Sequence, residues 1–206
     1  LGLIYTAQKE YDKAIEYFYC CYKLDTDSAD VYYNAALAYL GKYEIKAAQK
    51  RLYRALQIYP SHIEANAVLG MLLLTEEKYS ANAWKHYSFL RKSSESSLRT
   101  DLPFPHWRNQ DLKDRPLLVV GEQGIGDQVI NLSCFNDLRK DYGKLILLCD
   151  NRLKEIAERS FPGVIVIGYA DIKNIQLGEY ENYIDYQTTV CRLPQRYRCS
   201  VDDFPT

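Results

Sequence analysis

The chain has 206 residues, 47% of them hydrophobic, and a formal net charge of −1. That length holds one large domain or two small ones, and the near-neutral charge argues against a nucleic-acid partner, which asks for a basic face. No apolar run approaches the length of a bilayer span, and the six cysteines form no C-x-x-C pair, so neither zinc nor a disulfide framework is expected and a reducing compartment, the cytoplasm, is the expected location.

The first part of the chain repeats itself. Gly2, Ala36 and Gly70 are spaced by 34 residues, and the same offset links Tyr5 to Tyr39 and Leu73, Ala14 to Ala48, Phe18 to Leu52, and Thr26 to Pro60. A fixed period of this size, with small residues where helices touch and large ones beside them, is the tetratricopeptide pattern. Its physical basis is packing: glycine or alanine on one helix admits the bulky side chain of the next, and Pro60 ends a helix because it has no amide proton to donate. The pattern predicts helices at 1–8, 11–24, 29–41, 44–58, 63–75 and 79–92. It opens inside a repeat and at Leu1 rather than Met, so further repeats are expected upstream. The third repeat is degraded, with Asn82 in place of alanine and His86 in place of a large apolar residue, as in a capping repeat. Most of the 19 tyrosines fall before residue 90. Tyr5, Tyr32 and Tyr39 either line a groove that binds a protein or peptide, or fill the interhelical core with their hydroxyls wet. His62 and His86 are isolated, and neither is expected to hold a metal.

Between Ser93 and Arg115 the helical period fails in a stretch carrying four serines and two prolines. Trp107 in that stretch is expected to be buried, at the seam between the helices and the next domain. The resulting division is repeats over 1–97, a linker over 98–115 and an α/β domain over 116–206. From Pro116, "LLVV" (117–120), "KLILLC" (144–149) and "VIVIG" (164–168) read as buried strands. Residues 127–141 and 152–160 read as the helices between them, the first with Val129, Ile130, Leu132, Phe135 and Leu138 on its apolar side. A fourth strand is expected to begin within 183–186. Continuous apolar strands alternating with helices imply a parallel sheet covered on both faces.

The first strand runs into a glycine turn, "VVGEQGIGDQV" (119–129). A Walker loop needs a lysine after the glycines, and this turn has none. A dinucleotide turn asks for a third small residue where Val129 stands, although Asp150 sits where a ribose-binding acid would. The helix after the turn offers free amides and a positive dipole end. Asp127 is then either its N-cap or a reactive carboxylate, and composition alone favours the cap.

The stretch "LLVVGEQGIGDQVINLSCFNDL" resembles bacterial tetratricopeptide-repeat proteins fused to a glycosyltransferase-like domain of the GT-B type. "LCDNRL" with "RSFPGV" resembles that family's second strand and helix, "IDYQTTVCRLPQRYRCSVDDFP" its later Asp-Phe-Pro region, and "HWRNQDLKDRPLL" its join. More distantly the layout is similar to O-linked N-acetylglucosamine transferases and to heptosyltransferases. The resemblance implies an all-α tetratricopeptide solenoid followed by a Rossmann-like domain that forms the N-terminal, acceptor-side half of a GT-B enzyme. It implies no cofactor, and a nucleotide-sugar donor bound only in the full-length protein. It implies Asp127 as general base, Gly124 and Gly126 admitting substrate close to the backbone, and Gln123 hydrogen-bonding it. Cys191-Arg192 stand where the family has Gly-Ser, so Arg192 either contacts a phosphate or blocks the pocket; Asn109 replaces a glycine of the join. The alternative is a non-catalytic scaffold whose α/β domain has degenerated. Sugar, acceptor and oligomeric state are left open.

Overall fold

A computed structural model describes residues 1–24, 28–76, 79–90, 102–122, 124–171, 180 and 183–204. The chain divides into two compact units, Leu1–Ser93 and Ser94–Thr206.

The first unit is built from α1 (Gly2–Ala7), α2 (Tyr11–Lys23), α3 (Ala29–Gly41), α4 (Ile45–Ile58), α5 (Ile63–Thr75) and α6 (Ala81–Tyr87). Each helix packs against the next in chain order. Ala48, Leu52 and Ala55 recur at four- and three-residue spacing, share one face of α4 and are fully buried. Glycine is required where helices come closest: a Cβ on Gly2 would lie 2.8 Å from the Phe18 ring, and one on Gly70 would strike the backbone of Tyr87. Side chains cap the starts of α5 and α6, the Ala65 amide donating to His62 Nδ1 at 3.3 Å and the Ala83 amide to the Ser80 hydroxyl at 3.1 Å. Tyr32 and Tyr39 lie half-buried against the core of α3–α6, and Tyr5 stacks on Tyr17.

Helix α6 departs from the expected pattern. Ala83, not position 82, is its fully buried small residue. His86 is held by a 2.7 Å hydrogen bond between Nδ1 and Asn66 Oδ1, so a polar residue where the sequence pattern expects an apolar one has found a polar partner.

In the second unit, β1 (Leu117–Val120), β2 (Leu145–Cys149), β3 (Ile165–Gly168) and β4 (Tyr186–Thr189) form one parallel sheet in the order β3-β2-β1-β4. Every residue of β1 and β2 is buried, as strands covered on both faces must be. Leu117, Val119, Leu145 and Leu147 share a core with Phe135, Leu138 and Leu153. Leu118, Val120, Ile146 and Leu148 face Leu102, Phe104 and Ile184. The helices are α7 (Ile125–Leu132), α8 (Phe135–Asp141), α9 (Asn151–Ser160) and the single turn α10 (Pro194–Tyr197). Among the described residues no helix is long and apolar enough to cross a membrane.

The α/β unit departs from the sequence expectations at three places. The helix read over 127–141 is two helices, broken at Ser133-Cys134, where the Arg198 guanidinium donates to the Ser133 carbonyl at 2.7 Å; a side chain inserted into the hydrogen-bond ladder is a sufficient cause of such a break. Val129 and Ile130, assigned to the apolar side, are 55% and 67% exposed, while Gln128 and Asn131 are buried. The fourth strand begins at Tyr186, inside the expected interval. Trp107 is buried as expected, but in the α/β core: it meets Tyr142 edge-on at 5.4 Å and packs with Leu112 and Leu117.

Residues 102–107 run beside β4 and cover its edge, with hydrogen bonds from the Trp107 amide to the Gln187 carbonyl (2.8 Å) and from the Gln187 amide to the Pro105 carbonyl (3.0 Å). The buried Gln187 carboxamide donates to the carbonyls of Leu102 and Phe104, so the polar edge is closed. Asn109 has φ +66°, a left-handed conformation that asparagine tolerates better than most residues.

Candidate functional site

The strand order decides where a ligand would sit. The chain leaves β1 to build β2 and β3 on one side, then returns to place β4 on the other. The carboxyl ends of β1 and β4 are therefore neighbours, at the switch point of strand order where open α/β sheets bind ligands. The glycine turn and α7 come after β1; a 3-10 turn, Val190–Arg192, comes after β4. Helix α7 packs against that turn, and the Asn131 amide approaches Cys191 Sγ at 3.6 Å. Gly124, Gly126, Asp127 and Arg192, more than sixty positions apart at the extremes, are thus brought to one sheet edge. Gln123 lies outside the described residues.

Asp127 is not the N-cap of α7. Gly124 takes that position, and its amide donates to Asp127 Oδ2 at 3.3 Å, so the carboxylate closes the first turn from within the helix. An acid there also faces the positive end of the helix dipole. Asp127 is partly exposed, and among the described residues its second carboxylate oxygen makes no hydrogen bond. A side chain on Gly126 would project into open space, so the turn is not filled by protein on that side. Val129 points to solvent and does not crowd the strand, contrary to the objection raised by its place in the glycine pattern.

The buried support of the turn is polar, and sequence reasoning misses it. The Gln128 carboxamide accepts from the Asp150 amide at 3.0 Å and donates to the Tyr169 hydroxyl at 2.7 Å. It thereby ties α7 to the end of β2 and to the residue after β3. Asn131 donates back to the Asp127 carbonyl at 2.7 Å. Glu122 is 8% exposed, and Thr189, opposite Val120 in the sheet, is buried with its neighbour Thr188. Both threonine hydroxyls lack a hydrogen-bond partner among the described residues. The signal present in the sequence is the i, i+3 spacing of Gln128 and Asn131 directly after a strand.

Asp150, where a dinucleotide site would place its ribose-binding acid, already has partners. It caps α9 by accepting the Arg152 amide at 3.0 Å, and its two oxygens take a bidentate contact from the Arg152 guanidinium, each at 2.9 Å. A ribose would have to displace that cation. Burial pushes the Cys134 and Cys149 thiols up to about 11, so both stay protonated and are poor nucleophiles.

No protein-family model matches the chain. Among curated proteins it is similar to Protein FlbA of Caulobacter vibrioides, at 28% identity over 156 residues, which are 73% of this chain and 26% of that protein. The chain thus spans about a quarter of that relative's length. Among solved structures it is similar to a mutant O-GlcNAc transferase of Thermobaculum terrenum, with a TM-score of 0.42 and 15% identity over 94% of this chain and 41% of that one.

Proposed function

We propose that this chain is part of a tetratricopeptide-repeat, glycosyltransferase-like protein. Its helical unit binds a protein partner or acceptor, and its α/β unit supplies the acceptor side of sugar transfer from a nucleotide-sugar. The observation that carries the reading is the juxtaposition at the switch point: a partly exposed carboxylate, a glycine turn open on one side, and an arginine from the neighbouring strand's exit. The ordered motifs from "HWRNQDL" to "VDDFP" support it, as does the period of 34 residues.

In this reading Asp127 takes the proton of the acceptor hydroxyl while that oxygen attacks the anomeric carbon of the donor. The bond from that carbon to the nucleoside diphosphate breaks, the leaving phosphate keeps the electron pair, and Asp127 ends protonated. Gly124 and Gly126 keep the approach to the backbone clear, Gln123 hydrogen-bonds the acceptor, and Arg192 offers the departing phosphate a cation. The nucleotide-sugar itself is assigned to a second α/β half in the full-length protein.

Asp127→Asn separates the two roles of this side chain. Asparagine keeps an oxygen for the Gly124 amide but cannot take a proton. The variant is expected to melt with the parent and, in the full-length protein, to lose transfer by roughly 10²- to 10⁴-fold in a nucleotide-release assay. Unchanged turnover would remove Asp127 from the chemistry. The second reading, a scaffold with a degenerate α/β unit, draws on Asp127's service to the helix start and on Cys191-Arg192 in place of Gly-Ser; it requires that the full-length protein transfer no sugar at all.

A further inference from the structure

The helical unit carries a cleft of about 600 Å³ whose walls are cationic. Lys46, Lys50, Arg51 and Arg54 line it from α4, with Tyr32 of α3 and Tyr53, and no carboxylate contributes to its lining. Lys46 is held at one end by Glu76 at 2.9 Å. Lys50 and Arg51 have no carboxylate within ion-pair distance among the described residues. The guanidiniums lie over aromatic faces: Arg51 is 5.1 Å from the Tyr22 ring centroid and 5.7 Å from that of Tyr39, and Arg54 is 5.8 Å from that of Tyr32. Tyr22 and Tyr32 are themselves stacked at 4.5 Å.

Stacking of this kind does not neutralise a guanidinium. It fixes the plane of the fork and leaves its N–H edge to a planar anion. Burial holds the Tyr22 phenol well above its ordinary value, so Tyr22 stays neutral and offers Arg51 an uncharged ring face. A net charge of −1 for the whole chain makes this local excess of cations a feature of one face. Beyond Arg51 a smaller pocket, about 240 Å³, is lined in part by Asp12 and Glu16. A carboxylate placed there would be repelled, which limits how far a negatively charged segment can extend.

We propose that this face of α4, with the tyrosines of α2 and α3 behind it, docks an acidic peptide segment of a partner protein. Carboxylates of the segment lie over Lys50, Arg51 and Arg54, and its negative stretch ends short of Glu16. Charge complementarity selects this occupant: the cleft gathers cations, Lys50 and Arg51 without a carboxylate of their own among the described residues, and side-chain carboxylates satisfy a guanidinium fork in pairs. The inference deepens the partner-binding half of the function proposed above and is independent of sugar transfer.

The test uses the full chain and two short fluorescein-labelled peptides, one rich in glutamate and one with glutamine at the same positions, read by fluorescence anisotropy. The glutamate peptide is expected to bind, with affinity falling as salt is raised, and the glutamine peptide is not. Lys50→Glu with Arg54→Glu, both at exposed positions, is expected to weaken binding about tenfold or more while leaving the circular dichroism and melting of the protein unchanged. Arg51→Gln is expected to weaken it as well. Equal binding of both peptides, or full binding by the charge-reversed protein, overturns the proposal. So does a single-stranded oligonucleotide that binds the same face more tightly and displaces the peptide. None of these results bears on Asp127, whose assay reads turnover.

Discussion

At Gly121 the chain leaves β1 with its amide donated to the Leu148 carbonyl at 2.6 Å, and Gln128 closes over it. A Cβ there would lie 2.6 Å from Gln128 Oε1 and 3.0 Å from the Leu148 carbonyl oxygen. Gly121→Ala is therefore expected to lower stability by about 1–3 kcal/mol, read as a fall in melting temperature, and unchanged melting would show that Gln128 yields without loss. The same neighbourhood shows how far single residues can be read from sequence. The glycines and Asp127 stand out because a strand running into G-x-x-G-x-G-D has few local solutions. Gln128 and Asn131 do not, because a polar side chain is read as exposed until a buried strand end needs its hydrogen bonds. Val129 and Ile130 are misplaced for the complementary reason: hydrophobicity says which side chains gain by burial, and not whether the fold has burial to offer at that face.

Among the elements, the break between α7 and α8 carries the most consequence. Periodicity alone continues one helix through Ser133-Cys134, and nothing local forbids it. The break is set from sixty-five positions away: Arg198, 2% exposed, donates to the Ser133 carbonyl and to Asp137 Oδ2 at 2.8 Å. Hydrogen bonding from Lys140 and from Arg198 holds the Asp137 carboxyl below its ordinary value against the opposing effect of burial. Arg198→Ala leaves the Ser133 carbonyl and the Asp137 carboxylate short of a buried cation and is expected to destabilise the protein by about 3 kcal/mol, measured by urea denaturation. Arg198→Lys keeps the charge but not the two-pronged geometry and is expected to restore only part of that loss. Full restoration by lysine would mean that charge alone, and not the fork, holds the helix ends together.

For the molecule as a whole, each unit carries its own acid-sensitive group and its own tryptophan. Burial, with the charge of Lys85 adding to it, holds the His86 imidazole below its ordinary value. Unfolded His86 therefore takes up a proton more readily than folded His86. The stability it contributes is complete above about pH 6.5 and is lost as pH falls through the lower folded value. Asp137 behaves in the same sense at lower pH, its contribution complete above about pH 4 and lost as its depressed folded value is crossed. Acidification from neutrality is thus expected to weaken the helical unit before the α/β unit. Trp84 (8% exposed) reports on the first and Trp107 (5%) on the second, so Trp107→Phe and Trp84→Phe variants let denaturation be followed separately. Between about pH 7 and about pH 5 the Trp84 signal is expected to move to lower denaturant while the Trp107 signal holds. His86→Gln should abolish that movement. A shift of the Trp107 transition over the same interval would contradict the assignment.

What the sequence determined unaided was everything governed by near neighbours. Five helices of the first unit lie within a residue of the spans set by the 34-residue period, because small residues, prolines and capping groups act within a turn or two, whereas the sixth ends at Tyr87, short of the expected 92. The first three strands were legible because an apolar run between glycines and helices has nowhere to go but a buried parallel sheet. Tertiary structure alone decided the rest. The order β3-β2-β1-β4 depends on which edge of β1 the last strand takes, and no local propensity records that choice. That order places the turn with Gly124 and Asp127 and the turn with Arg192 after adjacent strand ends, while Trp107 is buried in the α/β core and Gln128 and Asn131 face inward. Each of these is settled by where distant segments must find hydrogen-bond partners and contact surface once the chain is compact.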